Sequence, residues 1–149
     1  MLWIGVKCYM QIVEKSLFFI FLCIMVICDI KKGLLPFRFI IIELFIIIAF
    51  VVFGNYLSLY SRIFGGAQGL ILLLVSKLTK ESIGYGDSII FCFSGFTIGG
   101  SLNLYLVLYS SLFGAIYATV LIVRKKLKRK DRVIFTPCIL LSYIGVLLL

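Results

Sequence analysis

The sequence predicts an all-α, polytopic membrane protein with about six transmembrane helices. Of its 149 residues, 63% are hydrophobic and 14% are charged, whereas a soluble domain has about 45–50% apolar and about 25% charged residues. So few charges cannot cover a water-facing surface, which excludes a soluble globular fold. At about 20 residues per membrane span, the length has room for roughly six helices. Residues 1–149 are predicted to form a single membrane-embedded domain.

Six apolar runs, separated by polar or glycine-containing connectors, give the helices in order. The densest part of the first run, Leu17–Cys28, follows Lys7 and Lys15 as the apolar region of a signal peptide would. No small-residue cleavage site comes after it, so we interpret it as a retained helix. The second lies between a proline and a glycine, and the sixth follows a strongly basic connector. The runs cover about residues 9–28, 37–53, 57–76, 87–97, 102–123 and 133–149.

Basic residues are distributed unevenly between the two sides that alternating connectors face. Connectors 29–38, 77–86 and 124–132 carry twelve of the fifteen Lys and Arg residues. The other side keeps three: Lys7, Lys15 and Arg62. Because cytoplasmic loops of membrane proteins are enriched in Lys and Arg, the first side is predicted to be cytoplasmic and both termini to lie outside. The net charge of +9 is therefore interpreted as a signal of topology in the lipid bilayer, with no nucleic acid as partner.

The chain has no histidine, and its five cysteines form no C-x-x-C pair. Without His, Ser-His-Asp and Cys-His catalysis are excluded, together with the commonest metal ligand. Single cysteines inside apolar runs behave as small hydrophobic residues. No disulfide framework, metal site or cofactor is therefore predicted, and any acid–base chemistry falls to carboxylates, Lys, Tyr or Cys.

Small residues at four-residue spacing occur in three of the apolar runs. The motifs are Gly65-x-x-x-Gly69, Gly95-x-x-x-Gly99 and Gly114-x-x-x-Ala118. This spacing lets two helix backbones approach closely in lipid. We interpret it as packing within one monomer, with a homodimer as the alternative.

Two of the six acidic residues stand at the same predicted membrane edge. Asp29 ends the first apolar run and Asp87 opens the fourth. Two facing carboxylates can share one proton, because like charges in contact resist double ionisation. Such a pair can use one member as base on a water molecule and the other as acid on a scissile carbonyl. Aspartates at helix ends are also common as caps, so spacing alone leaves both interpretations open.

The remaining acids are assigned less directly. Glu43 lies seven residues after Pro36 in an apolar run, where an ionisable group is costly and needs a reason. It is predicted to face the bundle interior and to fix packing, with Gln68 as a candidate partner, rather than to act in catalysis. Three acids beside basic residues or in polar connectors are expected to be solvated: Glu14, Glu81 and Asp131.

The sequences around the two aspartates form short motifs. Asp-Ile-Lys-Lys-Gly-Leu-Leu-Pro occupies 29–36, and Gly-Tyr-Gly-Asp occupies 84–87. Glycines at this edge let the backbone turn sharply and admit a substrate strand close to the carboxylate. With the basic connector and the Phe-Thr-Pro at 135–137 before the last run, the pattern resembles the type IV prepilin peptidases, including the preflagellin peptidases. The resemblance extends over about residues 9–149.

The resemblance implies an intramembrane aspartyl endopeptidase with Asp29 and Asp87 as its catalytic pair. It implies prepilin, pseudopilin or preflagellin substrates, whose short basic leader is cut at the cytoplasmic face of the plasma membrane, and hence a role in pilus assembly or protein secretion. The residues expected to position the substrate rather than to do chemistry are Lys31, Lys32, Pro36, Gly84, Tyr85 and Gly86.

Two positions depart from the family pattern. Ile89 stands where members often carry Lys, and Ile134 stands in place of the first proline of the closing motif. The chain also lacks the N-terminal extension with paired cysteines that carries N-methylation in many bacterial members. It is similar to the short, peptidase-only members, so no methyltransferase activity is expected.

Two functions from other classes remain open on the sequence. A small ion- or proton-coupled transporter or channel subunit would use Asp29, Glu43 and Asp87 as its path. A non-catalytic assembly partner for a pilus or secretion machine is favoured by the departures at Ile89 and Ile134.

Overall fold

A computed structural model describes residues 2–32, 37–54, 57–78, 84–124 and 135–148. These residues form six α-helices and contain no strand, which confirms the predicted all-α class. The helices are α1 (Leu2–Lys32), α2 (Phe37–Phe53), α3 (Leu59–Leu78), α4 (Tyr85–Ile98), α5 (Gly100–Val123) and α6 (Thr136–Leu147). Within the described residues, three stretches are long and apolar enough to cross a membrane, namely Gly5–Lys31 of α1, all of α3 and all of α5. The chain is therefore a multi-pass membrane protein.

Helix boundaries depart from the apolar runs where polar residues are themselves helical. The bounds of α2 coincide with the predicted run. By contrast, α1 begins at Leu2 and continues to Lys32, because Lys and Glu are good helix formers and do not end a helix. Asp29 consequently lies inside the last turn of α1 rather than beyond it. Gly99 alone separates α4 from α5, with φ of 84°, a conformation that favours glycine.

Helices α3 and α4 pack through backbone contacts at glycines. Gly65 and Gly95 face each other so closely that a Cβ at either position would overlap the other's backbone, and Gly69 meets the backbone of Cys92 in the same way. The pairing order makes the two helices antiparallel. Two of the three small-residue motifs thus take part in packing within the monomer, as the spacing predicts.

An apolar layer fills the middle of the bundle. Phe18, Leu22 and Met25 of α1 are fully buried and belong to one hydrophobic cluster with residues of α4 and α6. The ring of Phe18 meets that of Tyr143 edge-on at 5.2 Å. Burial of three large apolar side chains on one helix holds α1 against its neighbours by the hydrophobic effect.

A buried ion pair lies on the N-terminal side of this layer. Arg62 of α3 donates from Nη1 to Glu14 Oε1 at 3.0 Å and from Nη2 to Glu14 Oε2 at 3.3 Å. Its Nη1 also donates to the carbonyl oxygen of Phe96 at 2.8 Å. The prediction that Glu14 is solvated is therefore wrong. A charge survives in apolar surroundings when it is paired and hydrogen-bonded, and these two satisfy each other.

Glu43 of α2 reaches the same buried cluster. It faces the interior, as predicted, and its Oε1 has no hydrogen-bond partner among the described atoms. Glu14 and Tyr143 are buried as well. The predicted partner is wrong, because the Gln68 amide nitrogen donates instead to the carbonyl oxygen of Gly100 at 3.0 Å.

Candidate active site

Asp29 is tied to the start of the last helix. Thr136, the first residue of α6, donates a hydrogen bond from Oγ1 to Asp29 Oδ2 at 2.5 Å. The threonine is 1% exposed, whereas Asp29 is partly exposed. The carboxylate thus has one oxygen held by a buried hydroxyl while the side chain as a whole still reaches the surface.

Asp87 lies in the first turn of α4, where a carboxylate is favoured by the helix dipole. Its carboxylate folds back over Gly84, so that a Cβ on Gly84 would lie 2.6 Å from Asp87 Oδ2. The first glycine of the Gly-Tyr-Gly-Asp motif therefore leaves the space that this carboxylate occupies.

The two aspartates lie at the same end of the bundle. Helices α1 and α4 are antiparallel, because Arg62 joins Glu14 to the Phe96 carbonyl and the rings of Phe21 and Phe93 lie 6.2 Å apart. From this ring contact, α1 continues eight residues to Asp29 and α4 runs back six residues to Asp87. At 1.5 Å per residue, these distances are about 12 Å and about 9 Å along the two helices.

The remaining predicted site residues are placed less fully. Lys31 is exposed in the last turn of α1, Tyr85 is 39% exposed and Gly86 is partly buried. Lys32 ends α1, but its side chain lies outside the described residues, as does the whole of Pro36. The roles of these residues in the site stay predictions.

The start of α6 is the part of the site that the sequence did not identify. Phe135 packs edge-on against Phe91 of α4 at 6.5 Å and fills the space above Gly114 of α5. These contacts fix the first turn of α6, which carries Thr136 and Cys138. The sequence shows the Phe-Thr-Pro motif but gives no sign that its hydroxyl meets an aspartate 107 positions away.

One of the two positions that depart from the family pattern lies in the described part of the chain. Ile89 packs against the hydrophobic core, whereas Ile134 lies outside the described part of the chain. Within that part, no group of three or more His, Cys, Asp or Glu side chains is placed to hold a metal ion.

Fold and site together define an all-helical membrane protein with two carboxylates at one end of its bundle. The chain belongs to the type IV leader peptidase family, whose model matches residues 16–119. The resemblance predicted from the motifs is thereby confirmed, and membership implies a protease. The matched segment contains Asp29 and Asp87 and ends within α5, before Thr136. No curated protein and no solved structure matches the chain.

Proposed function

We propose that this protein is an intramembrane aspartyl endopeptidase that removes the short basic leader of type IV prepilin-like substrates. Asp29 and Asp87 form its catalytic pair, and the site lies at the cytoplasmic face of the plasma membrane. The uneven distribution of basic residues supports this orientation, since twelve of the fifteen belong to connectors on the side of the two aspartates.

The observation that carries the proposal is that the two aspartates lie at the same end of the bundle, on two antiparallel helices that pack together. Asp29 lies in the last turn of α1, and Asp87 lies in the first turn of α4. Two carboxylates at one end of neighbouring helices can act on one bound peptide. In a chain without histidine, a carboxylate pair also supplies both the acid and the base that peptide hydrolysis needs.

Hydrolysis by this pair uses one ionised and one protonated carboxyl group. The ionised member accepts a proton from a water molecule as the water oxygen attacks the scissile carbonyl carbon, and the protonated member donates its proton to the carbonyl oxygen. When the tetrahedral intermediate collapses, one of its two hydroxyl groups gives its proton to the member that is now ionised and the C=O bond re-forms. The C–N bond breaks, and the leaving nitrogen takes up the proton of the other member, so the pair returns to its starting state.

The substrate segment has to unwind before it can be cut. In a helix every backbone group is already hydrogen-bonded, so the scissile bond of an apolar helical segment is inaccessible in lipid. Gly86, which directly precedes Asp87, is proposed to admit an extended substrate strand, while the Asp87 carboxylate itself occupies the space over Gly84. The exposed side chains of Lys31 and Tyr85 are proposed to contact the substrate at the membrane surface. Lys32 and Pro36 are proposed to take part in the same positioning.

Co-expression with a candidate prepilin tests the proposal in cells. The wild-type protein is expected to shorten the substrate by the length of its leader, and Asp29→Ala and Asp87→Ala are expected to leave it uncut. Glu43→Gln is the matched control, because it removes a carboxylate from the other half of the bundle and should leave cleavage unchanged. Leader removal that survives either aspartate substitution would overturn the catalytic pair.

A proton- or ion-coupled transporter is a second candidate, favoured by the buried cluster of Glu14, Arg62 and Glu43. A continuous path through the bundle would have to join that cluster to Asp29. The two sites are separated by 15 residues of α1, roughly 22 Å, and by the fully buried Phe18, Leu22 and Met25. Because this apolar layer would interrupt a proton or ion path between the two sites, it favours the peptidase over the transporter. A proton flux into vesicles that Glu43→Gln abolishes, without any leader cleavage, would favour the transporter instead.

A further inference from the structure

Helix α6 lies outside the segment that matches the family model, yet its first residue makes the shortest contact of the candidate site. Thr136 Oγ1 donates to Asp29 Oδ2 at 2.5 Å, a length typical of a hydroxyl bound to an ionised carboxylate. The threonine is 1% exposed. A buried hydroxyl that reaches across to another helix is held in place and has little freedom to take a different partner.

The backbone that carries this hydroxyl is held by two packing contacts of Phe135 and by the restricted φ of Pro137. Phe135, the preceding residue, packs against Phe91 and against Gly114, where even one added carbon would overlap its ring. Pro137, the following residue, occupies the first turn of α6, where its fixed φ suits the start of a helix. The hydroxyl is therefore presented from a rigid support rather than from a mobile loop.

We propose that Thr136 is a positioning residue for Asp29, an inference that rests on the proposed function. An aspartate carboxylate can rotate about two side-chain bonds, and a single hydrogen bond to Oδ2 fixes both. Thr136 thereby holds Asp29 in one orientation relative to Asp87, with the other oxygen left to meet the reacting water. Small misplacements of a catalytic group lower the rate of the chemical step far more than they lower substrate binding.

Three substitutions of Thr136 separate the effect of its hydroxyl on kcat from the effect of its methyl group. Thr136→Val keeps the shape and removes the hydroxyl, Thr136→Ser keeps the hydroxyl, and Thr136→Ala removes both. The assay uses purified protein in lipid vesicles and a basic-leader substrate. Thr136→Val and Thr136→Ala are expected to lower kcat roughly 10- to 100-fold, with KM within about twofold of wild type. Thr136→Ser is expected to retain most of the wild-type kcat while lowering the unfolding temperature more than Thr136→Val does.

Ser142 provides the matched control. It is also buried in α6, but its hydroxyl donates to the carbonyl oxygen of Cys138 within the same helix at 2.8 Å. Ser142→Ala is therefore expected to keep the wild-type kcat. If Thr136→Val does not accumulate in cells, the kcat values of Thr136→Ala and Thr136→Ser are compared instead. These two variants differ by one hydroxyl, so their comparison also measures the effect of the hydroxyl on kcat.

The outcomes distinguish this inference from the proposed function. If wild type cleaves and Asp29→Asn does not, but Thr136→Val has the wild-type kcat, the positioning role is overturned and the function stands. If the kcat of Thr136→Ser is as low as that of Thr136→Val, packing rather than the hydroxyl determines the rate, and the positioning role is again overturned. If wild type cleaves no leader substrate, the proposed function fails and this inference fails with it.

Discussion

Arg62 meets Glu14 across 48 sequence positions at a distance of 3.0 Å, with both side chains buried inside the bundle. The same guanidinium donates to the Phe96 carbonyl oxygen, so one side chain joins α1, α3 and α4. This contact lies at the opposite end of the buried part of α1 from Asp29. An ion pair therefore joins the helices at one end of the bundle, and apolar packing joins them in the middle. The hydrogen bond between Thr136 and Asp29 joins α6 to α1 at the opposite end.

Arg62→Ala is expected to destabilise the protein strongly. Removing one partner of a buried ion pair leaves the other charge without compensation, which typically costs about 3–5 kcal/mol. Unfolding of the purified protein in detergent, followed by circular dichroism, measures the loss. Arg38→Ala is the control, because Arg38 is exposed at the start of α2 and a surface substitution changes stability by about 0.5 kcal/mol or less.

The double variant sharpens this test. Replacing both Arg62 and Glu14 by Leu removes the pair without leaving either charge behind, and such replacements are often neutral or stabilising. The double variant should therefore be more stable than Arg62→Ala. Equal stability of Arg62→Ala and Arg38→Ala would mean that the buried ion pair does not hold the helices together.

Glu43→Met is expected to raise stability. Glu43 is buried, and among the described atoms its Oε1 has no hydrogen-bond partner. Replacing a side chain that has such a buried, unpartnered polar atom by an apolar one of similar size removes a desolvation penalty, so we expect a gain of about 1 kcal/mol. The same unfolding measurement applies, and a loss of stability comparable to that of Arg62→Ala would show that Glu43 has a stabilising partner.

Gly84→Ala is expected to impair catalysis without unfolding the protein. The φ of Gly84 is −58°, which alanine adopts freely, but the added Cβ would lie 2.6 Å from Asp87 Oδ2. The carboxylate is the terminal group of a short side chain and can shift by rotation, so stability should change by about 1 kcal/mol or less. The displaced carboxylate should lower the cleavage rate at least roughly 10-fold.

Gly145→Ala is the control for this prediction. A Cβ on Gly145 would meet nothing within 4 Å, and alanine is the better helix former. This variant should cleave like wild type and be no less stable. If Gly84→Ala also cleaved like wild type, the position of the Asp87 carboxylate over Gly84 would not matter for the reaction.

Local features of the fold could be predicted from the sequence because they depend on neighbouring residues. Residues 37–53 form an apolar run between Pro36 and Gly54, and α2 has those bounds. The glycine spacing of α3 and α4 likewise predicted close backbone contact. By contrast, apolarity alone placed the start of α1 too late, since the helix continues through Lys7 and Lys15.

The contacts between distant residues could not be predicted in this way. Arg62 lies near the start of a long apolar run, and the cost of burying a charge in lipid was the signal that it needed a partner. Nothing in the spacing identified that partner as Glu14. The link between Thr136 and Asp29 carries no sequence signal, because a hydroxyl in an apolar helix has many potential acceptors.

The most direct test of the catalytic pair compares Asp29→Asn, Asp87→Asn and the double variant, each purified in lipid vesicles with a basic-leader substrate. Because the two groups act as a unit, each single variant should lower kcat at least roughly 1,000-fold, and the double variant should be no slower than either one. Unfolding temperatures close to that of wild type would show that all three are folded. A single variant that keeps more than about a tenth of the wild-type kcat, where a removed catalytic group leaves far less, would contradict the account.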